Sequence, residues 1–214
     1  MRKEQFVEGE YYHIYNRGVE KRVIFTNDRE KIRFIHTIYT LNNFLTIPPR
    51  FDIVALEPQE HLTRIAPYVD IVAACLMPNH YHLMLTPKKE NGVSTFLHKI
   101  GSSYAHYFNI KHERTGRLFE GTFKAKHIDR HEYAAYLTQY IHLNSAALYR
   151  AKQGTAEAMR WIKQYRWSTL PVYLGGKSPF SLITSTAFRT DVLDMDEGRY
   201  EDMFADTYRD MYPA

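Results

Sequence analysis

The feature that most limits what this chain can fold into lies near its middle. Val69-Asp70-Ile71-Val72-Ala73-Ala74-Cys75-Leu76-Met77 is a mostly apolar run suited to a central strand, Pro78-Asn79 is a turn signal, and His80-Tyr81-His82-Leu83-Met84-Leu85-Thr86 returns as a second strand before Pro87 stops it. Together they predict a β-hairpin. Side chains alternate along a strand, so His80 and His82 face one way and Tyr81, Leu83 and Leu85 the other. Two imidazoles on one face can hold one metal ion. The same spacing also fits two histidines with ordinary hydrogen bonds on a polar strand face.

The hairpin has flanking elements that complete a fold. Tyr11–Tyr15 is β-branched and aromatic, and Gly18 ends it, which predicts a first strand. Asn27-Asp28 followed by Glu30 marks a helix start, and Ile32, Ile35, Ile38, Tyr39 and Leu41 carry that helix to about Asn42. A second helix is predicted from about Ser94 to Lys111, with Phe96, Leu97, Ile100, Tyr104, Tyr107 and Phe108 at three- and four-residue spacing. Thr122 to Asp129 reads as a strand and Arg130 to His142 as a helix. Strand, helix, strand, strand, helix, strand is the split βαβ order of an α+β, ferredoxin-like domain: an antiparallel sheet with two helices on one face and the other face open to a ligand. The tyrosine-bearing helix follows.

The catalytic-type domain is expected over residues 1–145, with an insertion at about 43–67 punctuated by Pro48, Pro49, Pro58 and Pro67. Phe51–Leu56 within it is a candidate edge strand. Residues 146–190 form a C-terminal extension with a helix expected at Ala156–Tyr165, Ser185–Leu193 is a candidate helix, and 191–214 is an acidic tail whose Tyr200, Met203, Phe204, Tyr208, Met211 and Tyr212 recur at helical spacing.

Charge then narrows the partner. The chain of 214 residues carries a net +4, but the tail holds eight acids and two arginines, so residues 1–190 carry +10. A basic body suits an anionic partner, most often nucleic acid. The tail, opposite in sign, could lie over the basic groove. One cysteine, Cys75, rules out an internal disulfide framework and fits a reducing compartment. No apolar stretch is long enough for a signal peptide or a membrane span, so a cytoplasmic protein is expected.

The second chemical element is the helix with Tyr133, Tyr136, Tyr140 and Asn144. Residues four apart share a face, so Tyr140 and Asn144 would meet the same object. A tyrosine of ordinary pKa, about 10, needs help to act as a nucleophile, and a metal on a phosphodiester supplies it. Asn144 could offer its amide oxygen to that metal, or simply end the helix.

Several blocks now carry a resemblance to a family. Tyr12-His13-Ile14-Tyr15-Asn16-Arg17-Gly18, Leu76-Met77-Pro78-Asn79-His80-Tyr81-His82-Leu83, Gly116-Arg117-Leu118-Phe119-Glu120-Gly121-Thr122-Phe123-Lys124, Tyr140-Ile141-His142-Leu143-Asn144 and Tyr165-Arg166-Trp167-Ser168-Thr169 occur in that order. In this they resemble the HUH single-tyrosine transposases of the insertion-sequence 200 type, above all those associated with repetitive extragenic palindromes. Phe119 stands where that family commonly has Trp, and Asn144-Ser145 where it commonly has Asn-Pro.

The resemblance implies metal-dependent nicking and strand transfer on single-stranded, hairpin-forming DNA by a monomer or homodimer. His80, His82 and Asn144 would hold Mg²⁺ or Mn²⁺, and Tyr140 would form a 5′-phosphotyrosyl intermediate. Imidazole donors favour Mn²⁺. Arg17, Arg114, Arg117, Lys124 and Lys126 are the candidate DNA contacts, and Phe119 could stack on a base or pack inside. Two other readings use the same residues: a catalytically silent module that binds single strands on its sheet, and a metal-dependent hydrolase without a tyrosyl intermediate, which would need acidic ligands that the strand does not supply.

Overall fold

The structure is a computed structural model that describes residues 5–44, 66–149 and 154–213. Four strands, β1 (Tyr11–Arg17), β2 (Val69–Met77), β3 (His80–Pro87) and β4 (Lys124–Ile128), form an antiparallel sheet in the order β2-β3-β1-β4. This is the ferredoxin-like order expected from the sequence of elements. The predicted hairpin is β2–β3, with Met77 opposite His80 and Cys75 opposite His82. The candidate edge strand at Phe51–Leu56, and most of the insertion around it, lie outside the described residues.

One face of the sheet is covered by α1 (Asp28–Leu41) and α2 (Gly92–Lys111). Asn27 caps α1 by accepting from the Glu30 amide. Tyr12 and Ile14 of β1 and Tyr81, Leu83 and Leu85 of β3 point into this layer, where they meet Phe34, Ile38, Phe96, Ile100 and Tyr104. The alternation that puts Tyr81 and Leu83 here puts His80 and His82 on the opposite face. Glu30, fully buried, links the two helices: it accepts from the Thr26 amide and hydroxyl, from Lys111 at 2.8 Å and pairs with His112 at 2.6 Å. Burial alone would raise its carboxyl pKa, but these bonds outweigh it and hold the pKa below the usual value.

The second sheet face is not open throughout, which corrects the sequence expectation. α3 (His131–Leu143) lies across it, with Ala134, Leu137 and Ile141 packed on Val72, Ala73, Cys75, Met77 and Met84. The reason is hydrophobic: the face to which alternation turns the two histidines also carries an apolar patch on β2 that water would otherwise meet. Only the β1–β4 side remains accessible, and β4 is mostly exposed.

Beyond α3 come a 3₁₀ turn at Asn144–Leu148, α4 (Ala156–Lys163), a single turn α5 (Leu170–Tyr173) and α6 (Glu197–Met211). The candidate helix at Ser185–Leu193 is shorter, a π turn at Phe188–Val192. The acidic tail does form a helix, α6, docked by its apolar stripe: Tyr200, Phe204 and Tyr208 are buried with Leu143, Ile162, Leu170 and Tyr173. Thr207 donates to Gln139 of α3, and the Tyr200 hydroxyl is 2.9 Å from His142 Nδ1. α3 is thus held between the sheet and α6.

Two further contacts fix the outline of the sheet. The Tyr165–Thr169 block runs along the outer edge of β2: Leu76 N donates to Trp167 O, Thr169 N to Ala74 O, and Ala74 N to the Thr169 hydroxyl. An edge that would otherwise expose unpaired backbone groups is closed. At the start of β2 the Asn42 side chain donates to Val69 O at 2.7 Å and accepts from Val69 N at 3.1 Å. This joins the end of α1 directly to the first residue of β2.

Candidate active site

The site is built outward from the Pro78-Asn79 turn. Pro78 O accepts from the amides of Ile24 and Phe25, Asn79 O accepts from Gly18 N, and the Asn79 amide donates to Lys21 O. The turn is therefore anchored on the segment that follows β1. That segment needs Gly18, because a Cβ there would stand 2.4 Å from Arg22 O and 2.7 Å from Ile24 Cγ2. Asn79 Oδ1 lies 2.6 Å from His80 Nδ1. An amide oxygen only accepts, so His80 carries its proton on Nδ1 and presents a bare Nε2.

His82, two residues on, is 8% exposed, and its ring stands at a right angle to that of His80 with centroids 5.1 Å apart. Its Nδ1 is 2.9 Å from Nε2 of His13, a buried histidine on β1 that the sequence reading gave no role. Burial is the first cause that lowers all three imidazole pKa values. His82 falls to about 3, helped by His13 and His80, and His13 to about 4, helped by Lys126, while His80 is lowered further by Arg17. All three are neutral at pH 7, the state a metal ligand requires.

Tyr140 comes from the other side. Ala134, Leu137 and Ile141 seat α3 on the sheet, which turns the neighbouring Tyr140 toward β3. Its ring meets His82 edge-to-face, with centroids 6.0 Å apart at 88°. Tyr133 and Tyr136, one turn earlier, stack on each other, and Tyr136 is exposed. Asn144 ends α3 and donates to Tyr140 O at 2.7 Å, which leaves Oδ1 as its donor atom toward a cation. Among the described residues no hydrogen bond joins Asn144 to either histidine.

An open cleft of about 240 Å³ adjoins this constellation, lined by Tyr15, Asn16, Arg17, His80, His82, Glu120 and Lys124. Arg17 and Lys124 are thus the two candidate DNA contacts in the cleft wall. Arg17 Nε is buried with no hydrogen-bond partner among the described residues. Lys124 lies over the Tyr15 ring, and Lys126, one step further along β4, donates to the Tyr133 hydroxyl at 3.1 Å. Arg114 and Arg117 are elsewhere: Arg114 bonds Asn109 and the Arg117 carbonyl in the turn after α2, and Arg117 is exposed there. Phe119 is 8% exposed and packs edge-on against Tyr81, so of its two expected roles the structure shows the packing one.

The two imidazoles fit a divalent ion in donor chemistry, both neutral and both with the other ring nitrogen engaged. Among the described residues no group of three or more His, Cys, Asp or Glu is arranged to hold one. Any further donors would be an amide, water or phosphate oxygen; Asn16 lines the cleft and Asn144 does not.

Residues 57–144 match the family described as Transposase IS200 like. This segment is similar to that family. The match bears out the resemblance carried by the sequence blocks, and it spans the hairpin, α2, β4 and α3 through Asn144. Of the proposed site residues only Arg17 precedes the matched segment. Among solved structures, the chain is similar to a REP-associated tyrosine transposase bound to a REP hairpin, with a TM-score of 0.54 and 13% identity over 82% of this chain and 85% of that one. That likeness shows the shared fold. No curated protein matches the chain. No helix among the described residues is long and apolar enough to cross a membrane.

Proposed function

We propose that this protein nicks and rejoins single-stranded DNA as an IS200-like transposase does, through a covalent tyrosyl intermediate. The observation that carries the reading is the placement of Tyr140 against His82 within one chain, beside a cleft walled by Arg17 and Lys124. Tyr140 attacks the scissile phosphorus through its phenolic oxygen. The bond to the 3′ oxygen breaks, leaving a 5′-phosphotyrosyl link and a 3′-hydroxyl. The phenolic proton is lost and the departing oxygen gains one, so the step is neutral in protons. A divalent ion held by His80 and His82, with Asn144 as third protein ligand, would polarise the phosphate and offset its charge. Arg17, in the cleft wall, holds the phosphate by its positive charge.

The strand on either side lies over β4, where Lys124 and Lys126 neutralise phosphates and the exposed Tyr136 offers a face to a base. The similar solved structure carries a REP hairpin, and a hairpin-forming single strand of DNA is the substrate we propose here. The test is incubation with single-stranded hairpin oligonucleotides and Mn²⁺, followed by denaturing electrophoresis. A metal-dependent covalent adduct is the expected result. Binding without any adduct would instead establish the catalytically silent reading.

Arg17 gives a separate expected outcome. Arg17→Ala should weaken single-strand binding at every sequence alike, and the slope of log affinity against log salt should shrink by about 0.7, the value of one lost phosphate contact on a single strand. Fluorescence anisotropy across a salt series measures it. An unchanged slope would remove Arg17 from the phosphate path.

A further inference from the structure

His13 is a buried titratable group that the reaction above does not use. It belongs to β1, where its Cα partner is Met84, and it reaches His82 on the diagonal of the β1–β3 pairing. The two rings lie nearly parallel, at 18° with centroids 5.1 Å apart, and the 2.9 Å bond joins His13 Nε2 to His82 Nδ1. The other rings around His82 are those of Tyr15, His80 and Tyr140. Among the described residues His13 is the hydrogen-bond partner of the His82 ring.

One proton is shared along this bond, and its position decides what His82 can do. With the proton on His82 Nδ1, its Nε2 carries a bare lone pair. With the proton on His13 Nε2, His82 carries its own on Nε2 and has no lone pair there for a cation. His80 is fixed in the first of these states by Asn79 Oδ1. We propose that His13 does for His82 what Asn79 does for His80: it accepts the Nδ1 proton, sets the tautomer and aims Nε2 at the cation. His13 is then a positioning residue, one layer behind the site. This rests on the reading of His80 and His82 as metal ligands, and its test separates the two.

The test uses the full chain and three forms: wild type, His13→Leu and His13→Gln. Leucine has no acceptor, whereas the glutamine oxygen can replace His13 Nε2. Long-range ¹H–¹⁵N spectra of the metal-free proteins report the His82 tautomer, and Mn²⁺ titration followed by electron paramagnetic resonance reports affinity without any DNA. Wild type and H13Q are expected to show His82 protonated on Nδ1, and H13L a shift toward Nε2. Mn²⁺ affinity should fall about 10–100-fold in H13L, as for other outer-layer partners of metal-bound histidines, and largely recover in H13Q. A wild-type His82 protonated on Nε2, or an H13L protein with unchanged tautomer and affinity, would overturn the proposal. Should wild type take up no Mn²⁺ while its His82 is protonated on Nδ1, the ligand reading fails and the His13–His82 arrangement stands.

Discussion

Tyr140→Phe is expected to abolish the covalent protein–DNA adduct and to lower single-strand cleavage by on the order of 10⁴–10⁶-fold, the usual loss when a nucleophile is removed. Single-strand affinity should stay within a few fold of wild type. The change deletes one oxygen and leaves the ring that meets His82 edge-to-face, so α3 keeps its seat on the sheet. Tyr136→Phe serves as the control, because Tyr136 is exposed, stacks on Tyr133 and makes no ring contact with either histidine of the pair. Adduct formation is read on denaturing gels and affinity by anisotropy on the same oligonucleotide. An adduct that survives Tyr140→Phe and vanishes with Tyr136→Phe would move the nucleophile one helical turn.

The second large effect concerns stability in acid. His142 is completely buried between α3, α5 and α6, with Nε2 2.8 Å from the Thr169 hydroxyl and Nδ1 2.9 Å from the Tyr200 hydroxyl. Desolvation lowers its pKa from 6.5 to about 3. The unfolded chain therefore takes up a proton near pH 6.5 that the folded chain refuses until about pH 3. Stability from this group is complete above pH 6.5 and declines as pH falls between those two values, by about 1.4 kcal/mol per pH unit and about 4–5 kcal/mol in all. Urea unfolding from pH 7 to pH 4 should show a steep loss. His142→Gln, which keeps polar atoms but cannot gain a charge, should reduce the slope by about 1.4 kcal/mol per pH unit. Equal slopes in the two proteins would mean that His142 is not buried neutral.

Much of this molecule could be read from residue order because its local signals agree with its tertiary contacts. The apolar run at Val69–Met77, the Pro78-Asn79 turn and the alternation after His80 give the hairpin, its register and the face on which the histidines stand. The three- and four-residue spacing of Phe96, Ile100, Tyr104 and Phe108 gives α2. What could not be read depends on partners distant along the chain. His13 lies in an ordinary alternating strand, and only pairing with a strand 69 residues away gives it a role. The Tyr165–Thr169 block has no strand pattern, because it joins the edge of β2 through a few backbone bonds in an irregular conformation. The stripe in the acidic tail announced a helix, but its docking site on α3 is composed of Gln139, His142 and Leu143, which occupy the side of that helix turned away from the sheet. The open sheet face was overestimated because alternation shows which residues share a face and not which later helix covers them.

Asn42 clasps two elements that are far apart along the chain. One side chain donates to and accepts from the backbone of Val69, so the end of α1 and the start of β2 are held together by a pair of hydrogen bonds. The anchorage of the first residue of β2, and with it of the histidine hairpin, therefore rests on a single fully buried amide.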